Sequence, residues 1–157
     1  MKIVLIQVGK TDSGYLETGI TTYNGRTSRM VKFETVIIPD LRNRGSVSQA
    51  EQKKAEGVRI LGLVKQGDYL ILLDERGEQH DSIRFAGVIE NLMNSGVKRI
   101  LFVIGGPYGF SDDLYASADR KLSLSRLTFS HQMVRLLFAE QLFRAFTLIK
   151  GIPYHNE

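Results

Sequence analysis

Short runs of apolar residues recur along the chain. Three of them, at residues 3–8, 69–73 and 100–104, are rich in valine, isoleucine and leucine and show no regular polar alternation. Each run is too short for a stable helix, so the pattern predicts strands covered on both faces, as in a parallel sheet. A fourth segment, residues 31–38, alternates apolar and polar positions, which predicts a strand near the edge of that sheet.

Segments with the apolar spacing of a helix lie between these strands. Residues 46–65 and 82–94 each carry their apolar side chains toward one side, and an Asn-Ser-Gly sequence ends the second segment. Alternation of strand with helix predicts right-handed crossovers and an α/β layer structure. We therefore predict a single α/β domain over residues 1–157, with a mostly parallel sheet flanked by helices.

The final long segment, residues 131–149, is apolar around much of its circumference. Its main stripe comprises Val134, Leu137, Phe138, Leu142, Ala145, Phe146 and Ile149. A helix this apolar needs two partners. One partner is the sheet of its own chain, and a twin chain is a candidate for the second, so we predict that this helix forms a dimer face. Burial inside a monomer explains the pattern equally well.

Composition restricts the class of protein. The chain has 157 residues, of which 43% are hydrophobic and 24% charged, as in an ordinary globular protein. It has no cysteine, which excludes disulfide scaffolds and thiolate zinc sites, and its three histidines lack ligand spacing, so we predict no metal site. The first ten residues fit a buried strand better than a signal peptide, and no stretch approaches the length of a membrane span. These features predict a cytoplasmic protein.

The charge balance is basic, with a formal net charge of +4 at pH 7 and a sequence pI near 9.4. Such an excess raises encounter rates with polyanions such as RNA. Many basic proteins bind no nucleic acid, so the charge alone leaves the partner open. Arg42 and Arg44, which lie beside Gly45 in a loop, are candidate phosphate contacts.

Three segments have the composition of a ligand site. The sequences DERG (74–77) and GGPYGF (105–110) follow predicted strands, and LSLSRLTFS (122–130) precedes the last helix. Ligands of open α/β sheets bind beyond the carboxyl ends of strands. Paired glycines allow a close backbone approach to a ligand, and hydroxyls mixed with apolar side chains suit an adenine. A tight turn and an edge strand are the alternative interpretations of the second and third segments.

The last seven residues, GIPYHNE, are unusual for a chain end. Tyr154 is suited to stack on a base, and the imidazole of His155 is suited to exchange a proton. A tail that merely docks on the protein surface is the alternative. Dinucleotide, P-loop and Gly-x-Ser-x-Gly signatures are all absent from the sequence, so neither nucleotide-dependent chemistry nor serine hydrolysis is favoured.

Taken together, these segments resemble the RlmH family of SPOUT methyltransferases, which methylate a pseudouridine of large-subunit ribosomal RNA. The resemblance extends nearly from end to end. The matching motifs are VGK (8–10), Leu-Asp (73–74), FVIGGPYG (102–109), LSLSRLTFSHQMVR (122–135), AEQLFRAF (139–146) and PYH (153–155). Their order in so short a chain makes the resemblance far more specific than any one motif.

The resemblance implies a C-terminal trefoil knot whose loops hold S-adenosyl-L-methionine, and a homodimer. Matched by motif, the cofactor contacts are Leu73, Gly105, Leu124, Ser125, Arg126, Leu127, Thr128 and Phe129. One departure concerns the tail, where Asn156 stands in place of the arginine or lysine that follows Tyr-His in the family. A cation expected near the RNA is therefore missing, and Arg126 and Arg135 are the candidates to replace it.

The implied reaction is direct transfer of a methyl group to N3 of a pseudouridine in 23S ribosomal RNA. His155 is the candidate base for the N3 proton, with bulk water as the alternative acceptor. The residues predicted to contact RNA are Arg42, Arg44, Arg135 and Tyr154. Two other functions stay open, namely a SPOUT enzyme that methylates transfer RNA and a non-catalytic ribosome-binding factor with the same fold.

Overall fold

A five-stranded parallel sheet with helices between its strands forms the framework of the protein. The computed structural model describes residues 1–12, 14–40 and 46–156. The strands are β1 (Lys2–Val8), β2 (Lys32–Ile38), β3 (Asp68–Gln79), β4 (Arg99–Ile104) and β5 (Arg120–Ser123). The helices are α1 (Gly14–Ser28), α2 (Gln49–Leu61), α3 (Ser82–Asn94), α4 (Asp112–Ser117) and α5 (His131–Ile149). The strand order is β2-β1-β4-β3-β5, and every adjacent pair is parallel.

The pattern of apolar residues predicted most of this framework. The three uninterrupted runs are the central strands β1, β3 and β4, and residues 31–38 contain the edge strand β2, so these predictions are confirmed. The predicted helices at 82–94 and 131–149 are confirmed as α3 and α5. The predicted helix at 46–65 is shorter, because a capping box between Ser48 and Glu51 starts α2 and Gly62 ends it.

Helices cover the sheet on both faces, which explains the lack of polar alternation in the central strands. One apolar cluster joins Ile3 and Leu5 of β1 to α3 and α5, and its Phe102 and Phe138 rings lie 4.8 Å apart. The other cluster joins the alternate residues of β1 to Ile60 of α2 and to the α4 region. The predicted α/β layer structure is therefore confirmed, whereas the C-terminal knot stays a prediction.

Strand β3 continues beyond Leu73, where the sequence predicted its end. Leu73 and Glu78 both pair with Leu122 of β5, so residues 74–77 bulge out of the strand. Gly77 makes this close return possible, because a Cβ at this position would lie 2.6 Å from the backbone nitrogen of Leu122. The bulge projects the segment DERG from the carboxyl-terminal part of the sheet.

In the ranges that the structure describes, no helix combines the length and apolar character needed to cross a membrane.

Candidate active site

A cleft of about 510 Å³ lies at the carboxyl ends of β3 and β4. The three segments that the sequence singled out meet there, together with the beginning of α5. The wall includes Leu73 to Arg76 of the bulge, Ile104 to Phe110, Tyr115, Leu122, Leu124, Ser125, Leu127 to Phe129, His131 and Val134. Parallel strands place their carboxyl ends at one edge of a sheet, which brings segments distant in sequence together.

Seven of the eight predicted cofactor contacts line this cleft. They are Leu73, Gly105, Leu124, Ser125, Leu127, Thr128 and Phe129. The eighth, Arg126, has an exposed side chain and is not part of the cleft wall.

The turn after β4 forms one wall of the cleft. The backbone N–H of Gly109 donates to the carbonyl oxygen of Gly106 across 3.2 Å, which closes the turn. A Cβ at Gly105 would lie 2.9 Å from Cε1 of Phe110, so the missing side chain at Gly105 lets the buried Phe110 ring pack beneath the turn. The glycine thus serves core packing as well as the shape of the cleft.

Serine hydroxyls fix the segment that precedes α5. The Ser123 hydroxyl donates to the carbonyl oxygen of Ser125 across 2.8 Å, and the Ser125 hydroxyl accepts from the backbone N–H of Leu127 across 2.9 Å. The apolar side chains that follow are left exposed, 72% for Leu127 and 38% for Phe129. Exposed apolar side chains at a cleft are typical of a surface that an apolar part of a ligand covers.

Polar groups cluster on the opposite wall. Asp74, whose side chain is 6% exposed, accepts a hydrogen bond from the Tyr115 hydroxyl and another of 2.8 Å from the backbone N–H of Arg76. Burial raises the pKa of Asp74, but these hydrogen bonds outweigh burial, so the pKa lies below its usual range. Burial and the bond to Asp74 raise the pKa of Tyr115. Asp74 is therefore a carboxylate, and Tyr115 a neutral phenol, at neutral pH.

A second acidic side chain links the two walls. Glu75 accepts a hydrogen bond of 3.0 Å from the Thr128 hydroxyl, which joins the bulge to the segment before α5. Asp74 and Glu75 line the cleft together with apolar side chains, and the Nε of Arg76, 3.5 Å from Asp74, offsets part of the negative charge. With two carboxylates and one guanidinium in its lining, the cleft suits a ligand with an apolar part and a positive charge.

Replacing Tyr115 by phenylalanine is expected to destabilise the protein by about 1–3 kcal/mol near neutral pH, because the buried Asp74 carboxylate loses a donor. Since the folded-state pKa of Asp74 is lowered, this contribution is present above the unfolded pKa of about 4 and is lost as the pH falls through the folded value. Urea unfolding of both proteins between pH 7 and pH 3 measures the difference.

The matched control is Tyr108→Phe, which changes an exposed tyrosine on the turn beside the cleft. We expect its free energy of unfolding to stay within about 0.5 kcal/mol of the parent. Equal stability of the two variants at pH 7 would show that the hydrogen bond to Asp74 contributes nothing.

Sequence reasoning missed several residues of the cleft wall, among them Asp74, Phe110, Tyr115, His131 and Val134. Asp74 and Phe110 lie in segments that the sequence marked as ligand sites, so their positions carried a signal. Tyr115 lies on the six-residue helix α4, which was not predicted. His131 was interpreted as part of the helix beginning, and it lies there as the first residue of α5.

The structure corrects the prediction that Arg135 contacts RNA. Its side chain is 0% exposed; it donates to the carbonyl oxygen of Val8 and, across 3.1 Å, to the Thr11 hydroxyl. Burial lowers the pKa of Arg135, which carboxylates including Asp12 partly offset. Arg135 precedes Phe138 by three residues, on the buried stripe of α5, and this spacing signalled its burial. The residue ties α5 to the loop after β1.

The tail docks along the middle and the carboxyl-terminal half of α5. The Tyr154 hydroxyl donates to Glu140 across 3.1 Å, and the His155 Nδ1 lies 3.3 Å from Nη1 of Arg144. Burial, with hydrogen bonds to Tyr23 and Glu140, raises the pKa of Tyr154. Arg144 lies about 20 Å along the helix axis from His131, at about 1.5 Å per residue. Within one chain, therefore, the structure does not bring Tyr154 and His155 to the cleft.

Two further predictions concern arginines and metals. Arg42 and Arg44 lie outside the described residues. In the described part of the chain, no group of three or more histidine, aspartate or glutamate side chains is arranged to hold a metal ion.

Comparisons with known proteins agree with the fold. A family model described as a predicted SPOUT methyltransferase matches residues 1–155. Proteins named ribosomal RNA large subunit methyltransferase H are similar over the whole chain. The one from Parabacteroides distasonis is 48% identical over 157 residues and 100% of both chains, and the one from Christiangramia forsetii is 51% identical over 156 residues and 99% of both.

Solved structures share the fold at low sequence identity. A probable methyltransferase from Bordetella pertussis Tohama I has a TM-score of 0.56 and 14% identity, over 92% of this chain and 94% of that one. A probable methylase family protein from Haemophilus influenzae Rd KW20 has a TM-score of 0.50 and 13% identity, over 99% of this chain and 70% of that one. At these identities the likeness concerns the fold alone.

Proposed function

The chain belongs to the SPOUT methyltransferase family, and we propose that it uses S-adenosyl-L-methionine to methylate N3 of a pseudouridine in 23S ribosomal RNA. The observation that carries this proposal is the cleft, which gathers seven of the eight residues matched to the cofactor motif from three separate parts of the chain. Its volume of about 510 Å³ lies within the range of about 300–1,000 Å³ that small-molecule sites occupy.

The cleft fits the chemistry of this cofactor. Leu127 and Phe129 would offer apolar contacts to the adenine, while Asp74 and Glu75, which also line the cleft, would favour the positive sulfonium and ammonium groups. When bound, S-adenosyl-L-methionine supplies an electrophilic methyl group. The turn at Gly105 and the segment from Leu124 onward would hold it, and their main task is to align the methyl group with the RNA nitrogen.

Alignment of this kind can supply about 7–11 kcal/mol of a reaction barrier. The N3–carbon bond forms as the sulfur–carbon bond breaks, and the N3 proton passes to a base or to water. No side chain of the described chain need form a covalent bond with the substrate. The relatives named ribosomal RNA large subunit methyltransferase H, at 48% and 51% identity over nearly the whole chain, support a ribosomal substrate. That substrate also supports the predicted cytoplasmic location.

A homodimer reconciles the position of the tail with a role for His155. In an isologous pair with antiparallel α5 helices, the end of one helix lies beside the beginning of the other. The tail of the second copy would then approach the cleft, which His155 of the same chain does not reach. We propose this arrangement, with Tyr154 contacting the RNA and His155 accepting the N3 proton.

The function is tested by incubating the purified protein with labelled S-adenosyl-L-methionine and ribosomes from cells that lack the gene. We expect label in 23S ribosomal RNA, with mass spectrometry placing one added methyl group on a pseudouridine. Label in transfer RNA alone would replace the proposed substrate. Absence of label from every RNA, with ribosome binding retained, would favour the non-catalytic factor.

Replacing His155 by alanine is expected to slow single-turnover transfer on ribosomes by about 100-fold, the usual contribution of a general base. Asn156→Ala, on the same tail, is the control and should stay within about threefold of the parent. A rate for His155→Ala within about threefold of the parent would assign the proton to water instead.

Mixed dimers test whether the tail acts on the other copy. His155→Ala keeps an intact cleft, whereas Gly105→Val keeps an intact tail. If the tail acts across the dimer, mixing the two inactive variants restores part of the activity. If the tail acts within its own chain, the mixture stays inactive.

A further inference from the structure

A second, smaller groove adjoins the cleft. Its volume is about 310 Å³, and its lining includes Arg76, Glu78, Tyr115, Asp119, Arg120 and Lys121. Arg76 and Tyr115 line both cavities. The two spaces are therefore neighbours that share these side chains, and a chain-like ligand in the groove would lie next to the cleft, beside Tyr115.

Positive charge exceeds negative charge in this groove. Of its two acidic residues, Asp119 accepts a hydrogen bond of 2.7 Å from the backbone N–H of Leu70, and Glu78 lies 3.9 Å from Arg120. Arg76 pairs with Asp74 of the cleft, at 3.5 Å between Nε and the carboxylate oxygen. The third cation is Lys121, whose side chain is exposed and has no ion pair within the described ranges. One cation is left over for an anionic ligand.

Tyr115 holds two of the cations at fixed places. The guanidinium carbon of Arg76 and the Nζ of Lys121 each lie 5.8 Å from the centre of the Tyr115 ring. Arg76 also donates a hydrogen bond of 3.0 Å to the Tyr115 hydroxyl, although 75% of its side chain is exposed. Cation–π contacts order these long side chains before a ligand arrives and leave N–H donors available, which lowers the entropic cost of binding.

We propose that this groove binds the phosphodiester backbone of the RNA strand beside the target nucleotide. Arg76 and Lys121 contact phosphate oxygens, and the strand then enters the cleft with the target base. The groove contributes affinity and orientation rather than sequence choice, because its cations face phosphates and not base edges. This inference rests on the proposed function and adds a path for the substrate.

The test is Lys121→Gln, because Lys121 lines the groove and is not part of the cleft wall. We expect ribosome binding to weaken by about five- to tenfold and the slope of log affinity against log salt to fall by about 0.7 for the lost phosphate contact. The KM for ribosomes should rise while kcat stays within about twofold, and Lys121→Arg should restore binding.

The control is Lys98→Gln, which removes an exposed lysine just before the amino-terminal end of the central strand β4. Its affinity and salt slope should match the parent. If Lys121→Gln also matches the parent while the parent methylates ribosomal RNA, the groove is not the path of the strand and the proposed function stands. If the parent neither binds nor methylates RNA, both proposals are wrong. If the parent binds free phosphate in the groove but Lys121→Gln leaves the affinity for ribosomes unchanged, the proposal that the groove binds the RNA strand is also wrong.

Discussion

Replacing Gly105 by valine is expected to lower the affinity for S-adenosyl-L-methionine by at least about 100-fold, or about 2.7 kcal/mol. A Cβ at this position would already lie 2.9 Å from the Phe110 ring, and the two methyl groups of valine add further bulk at the wall of the cleft. Isothermal titration with S-adenosyl-L-methionine measures the loss.

Because Phe110 is buried, this substitution also strains the core, so a stability measurement must accompany the titration. Leu127→Asp provides an independent variant, since Leu127 lines the cleft, is 72% exposed and is not packed in the core. It should keep the stability of the parent and bind the cofactor at least about tenfold more weakly. If both variants bind S-adenosyl-L-methionine with the affinity of the parent, the cleft is not the cofactor site.

Replacing Arg135 by alanine is expected to lower the free energy of unfolding by about 2–4 kcal/mol. The truncation leaves a cavity in the core and takes hydrogen-bond donors away from the buried carbonyl of Val8 and from Thr11. Urea unfolding at a fixed protein concentration measures the effect, since the stability of the proposed dimer would depend on concentration.

The control is Arg126→Ala, which removes the same charge from an exposed position nine residues earlier. We expect a stability change within about 0.5 kcal/mol. The salt dependence of ribosome binding should be unchanged in the folded Arg135 variant, because the buried cation contacts no phosphate. If the Arg135→Ala protein is stable and its slope of log ribosome affinity against log salt is reduced, the prediction that Arg135 contacts RNA is supported after all.

The sequence predicted those parts of the fold where one local pattern determines the structure. The run at residues 3–8 indicated a buried strand because both faces of β1 are covered, and the apolar circumference of residues 131–149 indicated a helix with several partners. The cleft was predicted for a related reason, since segments that follow parallel strands share one edge of the sheet.

The parts that were missed depend on contacts between distant residues. Helix α1 carries three glycines and several threonines, so its helical propensity is low and packing against α5 stabilises it. The bulge at residues 74–77 exists because β3 returns to pair with Leu122, a contact 44 residues away at its nearest point. The docking of Tyr154 on Glu140 likewise depends on how the tail folds back, which no local pattern encodes.

A crystal structure of the protein with S-adenosylhomocysteine tests the central claim most directly. We expect the adenine between the 124–129 segment and the turn at Gly105, and the amino-acid part near Asp74 and Glu75. A ligand bound elsewhere, with packed side chains in the cleft, would contradict the account.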